Sequence, residues 1–163
     1  MTDLVERVCA IATRSYLAGH GFGRLLVLDG PNGSAVLRYD PTDPDLTTEK
    51  ARLMAIALQA VACVVVTKTV LRFSGGVRLN IVLVLTEDRD GVRTAVFAPR
   101  RCAGHVELCP VTTPLAGPVP AVVLDRLVHD VLPKSAEEGD VHRAWVRLER
   151  MGVTIARDTR RLH

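Results

Sequence analysis

Three stretches of this chain carry residue types able to do chemistry. The first is "CAGHVELC", Cys102 to Cys109. On an extended strand His105, Glu107 and Cys109 point to one face, and Cys102 reaches round from the preceding loop. Thiolate and imidazole are the ligands Zn²⁺ prefers, so Cys102, His105 and Cys109 form a candidate zinc set for a small zinc-dependent domain or enzyme. The spacing C-x2-H-x3-C is not that of a zinc finger, and no fourth ligand is evident. "HVE" also matches half of the zinc deaminase signature, but the P-C-x-x-C that must follow does not.

The second stretch is "LLVLDGPNGSAVLRYD", Leu25 to Asp40, which opens like a phosphate-binding loop: an apolar strand delivers a glycine-rich turn. The chemistry of that loop needs a glycine, a lysine and a hydroxyl where this chain has Ala35, Val36 and Leu37. Without the lysine there is no cation for the β and γ phosphates, and without the hydroxyl no ligand for Mg²⁺. The residues after the turn favour a strand, whereas a phosphate loop must open a helix whose N-terminus faces the anion. The stretch is therefore expected to be a hairpin, its turn built by Gly30, Pro31 and Gly33.

The third is the C-terminal segment. From residue 141 to the end, Arg143, Arg147, Arg150, Arg157, Arg160 and Arg161 stand against only two carboxylates, Glu149 and Asp158, so this segment exceeds by one the formal charge of +3 of the whole chain, and the excess basicity is C-terminal. Such a row can meet phosphates, which makes these six the candidate residues of a nucleic-acid-binding accessory protein. The whole chain lacks the strong basicity usual for that role, and its few aromatic residues (4%) make a poor base-stacking platform.

The remaining polar groups assemble no familiar constellation. Asp40, Asp43 and Asp45 share a loop with two prolines and no later glutamate at calcium-loop spacing, which suits a helix cap better than Ca²⁺. His20, His129, His142 and His163 are scattered, and Ser34, Ser74 and Ser135 lie where serine is common for backbone reasons. No G-x-S-x-G elbow is present. Cys9 and Cys63 sit among apolar residues as small hydrophobes, and the cysteines are expected to be reduced in a cytoplasmic protein. No basic-then-apolar signal peptide is read at the start, and the apolar run 53–67, which carries Gln59, is too short for a bilayer span.

These residues are held by elements that the pattern locates. At 163 residues, 48% apolar and 24% charged, the chain has the size and composition of one globular domain, 1–163. Helical spacing of Leu4, Val8, Ile11 and Ala12 predicts a first helix over 3–17. Strands follow at 24–28 and 35–39, then a helix capped by Asp45 or Thr47 and running towards Ala60. Residues 61–73 are β-branched enough for a strand, yet their first half could prolong the helix. Alternation of Val77, Leu79, Ile81, Leu83 and Leu85, with Asp90-Gly91 at a turn, predicts a hairpin over 77–99. A further strand is expected at 104–111, then a Pro-rich linker over 112–120, two helices at 121–132 and 140–151, a short strand at "VTIA" (153–156) and a basic tail over 157–163. The fold class expected is α+β: an antiparallel sheet of hairpin, helix and meander with helices packed on it and two further helices at the C-terminus.

The order of helix, "RLLVLDGPNGSAVLRYD" hairpin, acidic loop, "TEKARLMAIALQAV" helix and meander resembles the Roadblock family of small profilin-like modules over residues 4–99. The resemblance implies a non-catalytic dimer that binds a small GTPase or signalling partner through its sheet or central helices. It carries over no functional residue and no cofactor. No acid, base and nucleophile converge along the sequence, so the function expected is that of a protein-protein interaction or regulatory module, homodimeric, without a membrane segment. The nucleic-acid and zinc readings stand as alternatives.

Overall fold

A computed structural model describes residues 2–17, 24–40, 42–72, 76, 78–102, 105–111, 128, 136–153 and 155. Its elements are helices α1 (Thr2–Leu17), α2 (Pro44–Leu58) and α3 (Glu138–Arg150), and strands β1 (Leu25–Gly30), β2 (Gly33–Arg38), β3 (Ala62–Arg72), β4 (Arg78–Asp88), β5 (Gly91–Cys102) and β6 (His105–Pro110). All neighbouring strands are antiparallel, in one six-stranded sheet of order β2-β1-β3-β4-β5-β6. The α+β class and the expected order of helix, hairpin, helix and meander are both present.

Period-two alternation divides the sheet into two apolar faces. Leu26, Leu28, Cys63, Val65, Leu83 and Leu85 pack under α2 and α3, where Met54, Leu58, Ala144 and Leu148 meet them. Leu25, Val27, Val64, Val66, Val82 and Val84 face the other way, against Leu4, Val8 and Ala12 of α1. Each of those three α1 residues lies one helical turn from the next, which is why a single stripe of this helix is buried. With aromatic residues so scarce, β-branched and Leu side chains fill both layers.

Several boundaries differ from expectation. α2 begins at Pro44 with Asp43 as its cap, its carboxylate accepting from the Leu46 N–H at 3.0 Å, rather than at Asp45 or Thr47. Proline is preorganised for the first helical position, and the acceptor must then precede it. Residues 62–72 are strand from the start, because Gln59 turns into the left-handed region (φ 49°) and ends the helix. Of the two C-terminal helices expected, the described residues hold one, α3. The segment expected as the other, 121–132, lies outside the described residues apart from Val128, which is buried in the α2-side core. The 112–120 linker and the 157–163 tail also lie outside them. Val153 and Ile155 are not in a strand; they pack against the core beside α2 and α3.

A proline shapes the far side of the sheet. β5 pairs with β4 from Gly91 to Phe97 and with β6 from Phe97 to Cys102. Counting from the two-residue turn at Arg89-Asp90, the hydrogen-bonded pairs with β4 fall on Gly91, Arg93, Ala95 and Phe97, so the next donor due is residue 99. That residue is Pro99, which has no N–H, and the β4 pairing stops there. On the β6 side the hydrogen-bonded positions are even-numbered, and Pro99 costs nothing.

Candidate functional site

The Gly30 to Ser34 turn is placed by the end of α2. At the C-terminus of that helix the Ala60 N–H donates to the Ala55 carbonyl at 2.9 Å and the Gln59 N–H to that of Ile56 at 3.0 Å. The next two carbonyls are taken by Asn32: its Nδ2 donates to Ala57 at 3.1 Å and its backbone N–H to Leu58 at 3.3 Å. The turn thus closes the open end of the helix. It docks so closely that a Cβ on Gly30 would stand 2.3 Å from the Leu58 carbonyl oxygen. The Ser34 hydroxyl donates to the Asp29 carboxylate across the hairpin. A phosphate loop faces the positive N-terminus of a helix, whereas this turn faces the negative C-terminus, where an anion is disfavoured.

The expected zinc set is distributed along the β5–β6 hairpin. The register sets Cys102 opposite His105, Arg100 opposite Glu107 and Ala98 opposite Cys109. Cys109 is a half-buried free thiol and Glu107 is exposed, while the side chains of Cys102 and His105 lie outside the described residues. Among the described residues no group of three or more His, Cys, Asp or Glu is gathered as metal ligands.

Of the six arginines expected to meet phosphate, the described residues include three, all on the exposed side of α3. Arg143 is paired with Asp140 one turn earlier, and Arg147 with Glu49 of α2. Arg150 is exposed, and Arg157, Arg160 and Arg161 lie outside the described residues. The Arg147 pair crosses the α2–α3 seam at the side of an open cleft of about 460 Å³, lined by Asp45, Thr48, Glu49, Arg52, Leu53 and Arg147. Two of the three described cations are therefore already met by carboxylates of the same chain.

A buried ionisable pair that is not among the candidates above lies beneath α2. Cys63 of β3 stands opposite Glu87 of β4, and both are fully buried. Burial, and after it the Glu87 carboxyl, push the Cys63 thiol up to about 12. That holds the sulfur neutral and unreactive at physiological pH. Strict alternation beside Leu83 and Leu85 could have located Glu87 on the inner face, since an inward glutamate breaks an otherwise apolar row.

The margins of the sheet are exposed. β1 pairs with β3 only over 62–66 and β5 with β4 only over 82–88, so 67–72 and 78–81 run on as a two-stranded ribbon. Its outer positions include Lys68, Val70, Arg78 and Asn80, with Val70 46% exposed. At one side of the sheet β2 presents Val36, 52% exposed, and at the other lies β6. No helix among the described residues is long and apolar enough to cross a membrane. Comparison with protein-family models, with curated proteins and with solved structures gives no match.

Proposed function

We propose that this chain is a non-catalytic protein-binding or regulatory module that works as a homodimer. The observation that carries this reading is the β3–β4 ribbon, which outruns both of its neighbours and presents backbone along 67–72 and 78–81 that pairs only with itself among the described residues. Backbone edges of this kind accept a strand from another chain, with main-chain hydrogen bonds supplying affinity and alternate side chains supplying selectivity. Val70 and the cation Arg78 favour a partner segment that is apolar and acidic. A small GTPase or signalling protein is the partner class that the Roadblock likeness implies. The pairing of Arg143 and Arg147 with carboxylates weighs against a phosphate-binding face on α3.

The test is affinity purification of the tagged protein from its native cells, with nuclease-treated and untreated lysates compared by mass spectrometry. The expected result is a protein partner that survives nuclease and is lost when Val70→Glu and Arg78→Glu are introduced together. Enrichment that vanishes with nuclease would instead move the function to Arg150, Arg157, Arg160 and Arg161, and one equivalent of zinc in protein purified without added metal would move it to Cys102, His105 and Cys109.

A further inference from the structure

β2 is an edge strand, paired to β1 on one side only among the described residues. The β1–β2 hairpin closes through a two-residue turn, with Gly30 paired to Gly33, so Gly33, Ala35 and Leu37 turn their N–H and C=O groups inward to β1. Ser34, Val36 and Arg38 then turn theirs outward, and no described strand lies beyond β2. None of the three is proline, so the outward row keeps every donor. The opposite edge is blunted: on β6 the outward positions are Val106, Leu108 and Pro110, and the last has no N–H.

The side chains on this edge are self-complementary. Ser34, Val36 and Arg38 share the α1-side face of the sheet, but α1 packs towards β3 and β6 and leaves Val36 52% exposed. Arg38 is exposed and forms no ion pair with any described residue. At the other end of the strand Ser34 is bonded to Asp29 of β1, so the row reads cation, valine, carboxylate. An antiparallel copy centred on Val36 sets Val36 against Val36 and each Arg38 against Ser34, with Asp29 one strand further in. Two strand spacings, about 10 Å, lie within the joint reach of an arginine and an aspartate. The same register makes Val36 a hydrogen-bonded pair with itself and Ser34 with Arg38, so all outward groups are met at once.

We propose that β2 is the seam of a two-fold homodimer in which Gly33–Arg38 pairs antiparallel with its copy about Val36, joining two six-stranded sheets into one. This rests on the homodimeric reading above and names its surface. A seam one short strand wide is at the small end of protein interfaces, so dissociation in roughly the micromolar range is expected.

The experiment is sedimentation velocity of the full chain at concentrations up to about 100 µM, spanning that range, on the native protein, Val36→Lys, Arg38→Glu, Ser34→Lys and an equimolar mixture of the last two. The native protein is expected at twice 17.7 kDa. Each variant alone is expected to self-associate at least about tenfold more weakly: Val36→Lys sets two ammonium groups against each other on the two-fold axis, Ser34→Lys sets an ammonium against Arg38 twice, and Arg38→Glu brings a second carboxylate towards Asp29 twice. The mixture is expected to recover the dimer, since the carboxylate introduced in one chain then faces the ammonium introduced in the other; recovery also shows that both variants are folded. A dimer that persists in Val36→Lys and Arg38→Glu overturns the β2 seam and leaves the homodimer standing on another surface. A native chain that is monomeric throughout overturns both.

Discussion

Gly30 is the residue on which the opening hairpin depends, because its missing side chain is what lets the turn reach α2. An alanine there would drive its Cβ into the Leu58 and Gln59 carbonyls, at 2.3 and 2.7 Å, with backbone on both sides and no flexible atom to yield. Gly30→Ala is expected to destabilise the fold by about 2–3 kcal/mol, the upper part of the range for overpacking, and denaturant titration measures it. Asn32→Ala tests the same contact more gently. It leaves the Ala57 carbonyl without its 3.1 Å side-chain donor and should cost about 1 kcal/mol.

Cys63 gives a pH dependence of definite sign. Its folded value of about 12 lies above the ordinary 9.0, so the folded state disfavours the thiolate. The stability this brings is fully present below pH 9 and is lost as pH rises towards 12, while the unfolded chain gives up a proton that the folded chain keeps. In urea titrations the advantage of the native protein over Cys63→Ala is expected to be constant below pH 9 and to shrink steadily above it. At pH 8 a maleimide is expected to leave Cys63 unmodified until the protein is unfolded.

At the level of elements, the sheet is predicted to be uneven in stability. Residues 62–66 and 82–88 lie between two strands each, whereas 67–72 and 78–81 pair only with one another among the described residues. Amide hydrogens of Val64, Val66, Val82 and Val84 are expected to exchange slowly, near the global unfolding limit, and those of Val70 and Asn80 faster by orders of magnitude. Equal protection along both strands would show that the ribbon is covered by more than the described residues. α3 makes a second test. It is tied down by Leu148 and Ala144, both buried against α2, more than by the exposed Arg147–Glu49 pair. Leu148→Ala should cost about 2–5 kcal/mol and Arg147→Ala less than about 1 kcal/mol, by thermal or chemical unfolding.

For the whole molecule, local patterns revealed the elements, while contacts distant in sequence decided how they serve one another. Apolar residues one turn apart predicted α1, and alternation predicted the hairpin of β4 and β5, because each signal is complete within a dozen residues. α3 was legible from the stripe of Trp145 and Leu148, though Ala144, fully part of the core, is too small to stand out. What sequence by itself determined was therefore the α+β class, the order of elements and the want of a lysine after the glycine-rich turn. Only the tertiary structure decided that β3 lies between β1 and β4, that Asn32 caps α2, that Glu49 meets Arg147, and that β2 and the ribbon present open backbone among the described residues. The reason is physical. A residue's own preferences act within a turn or two of chain, but the partner that satisfies a carbonyl or a guanidinium is chosen by the packing of surfaces far apart in sequence. The Glu49–Arg147 contact, across 98 residues, is the plainest case.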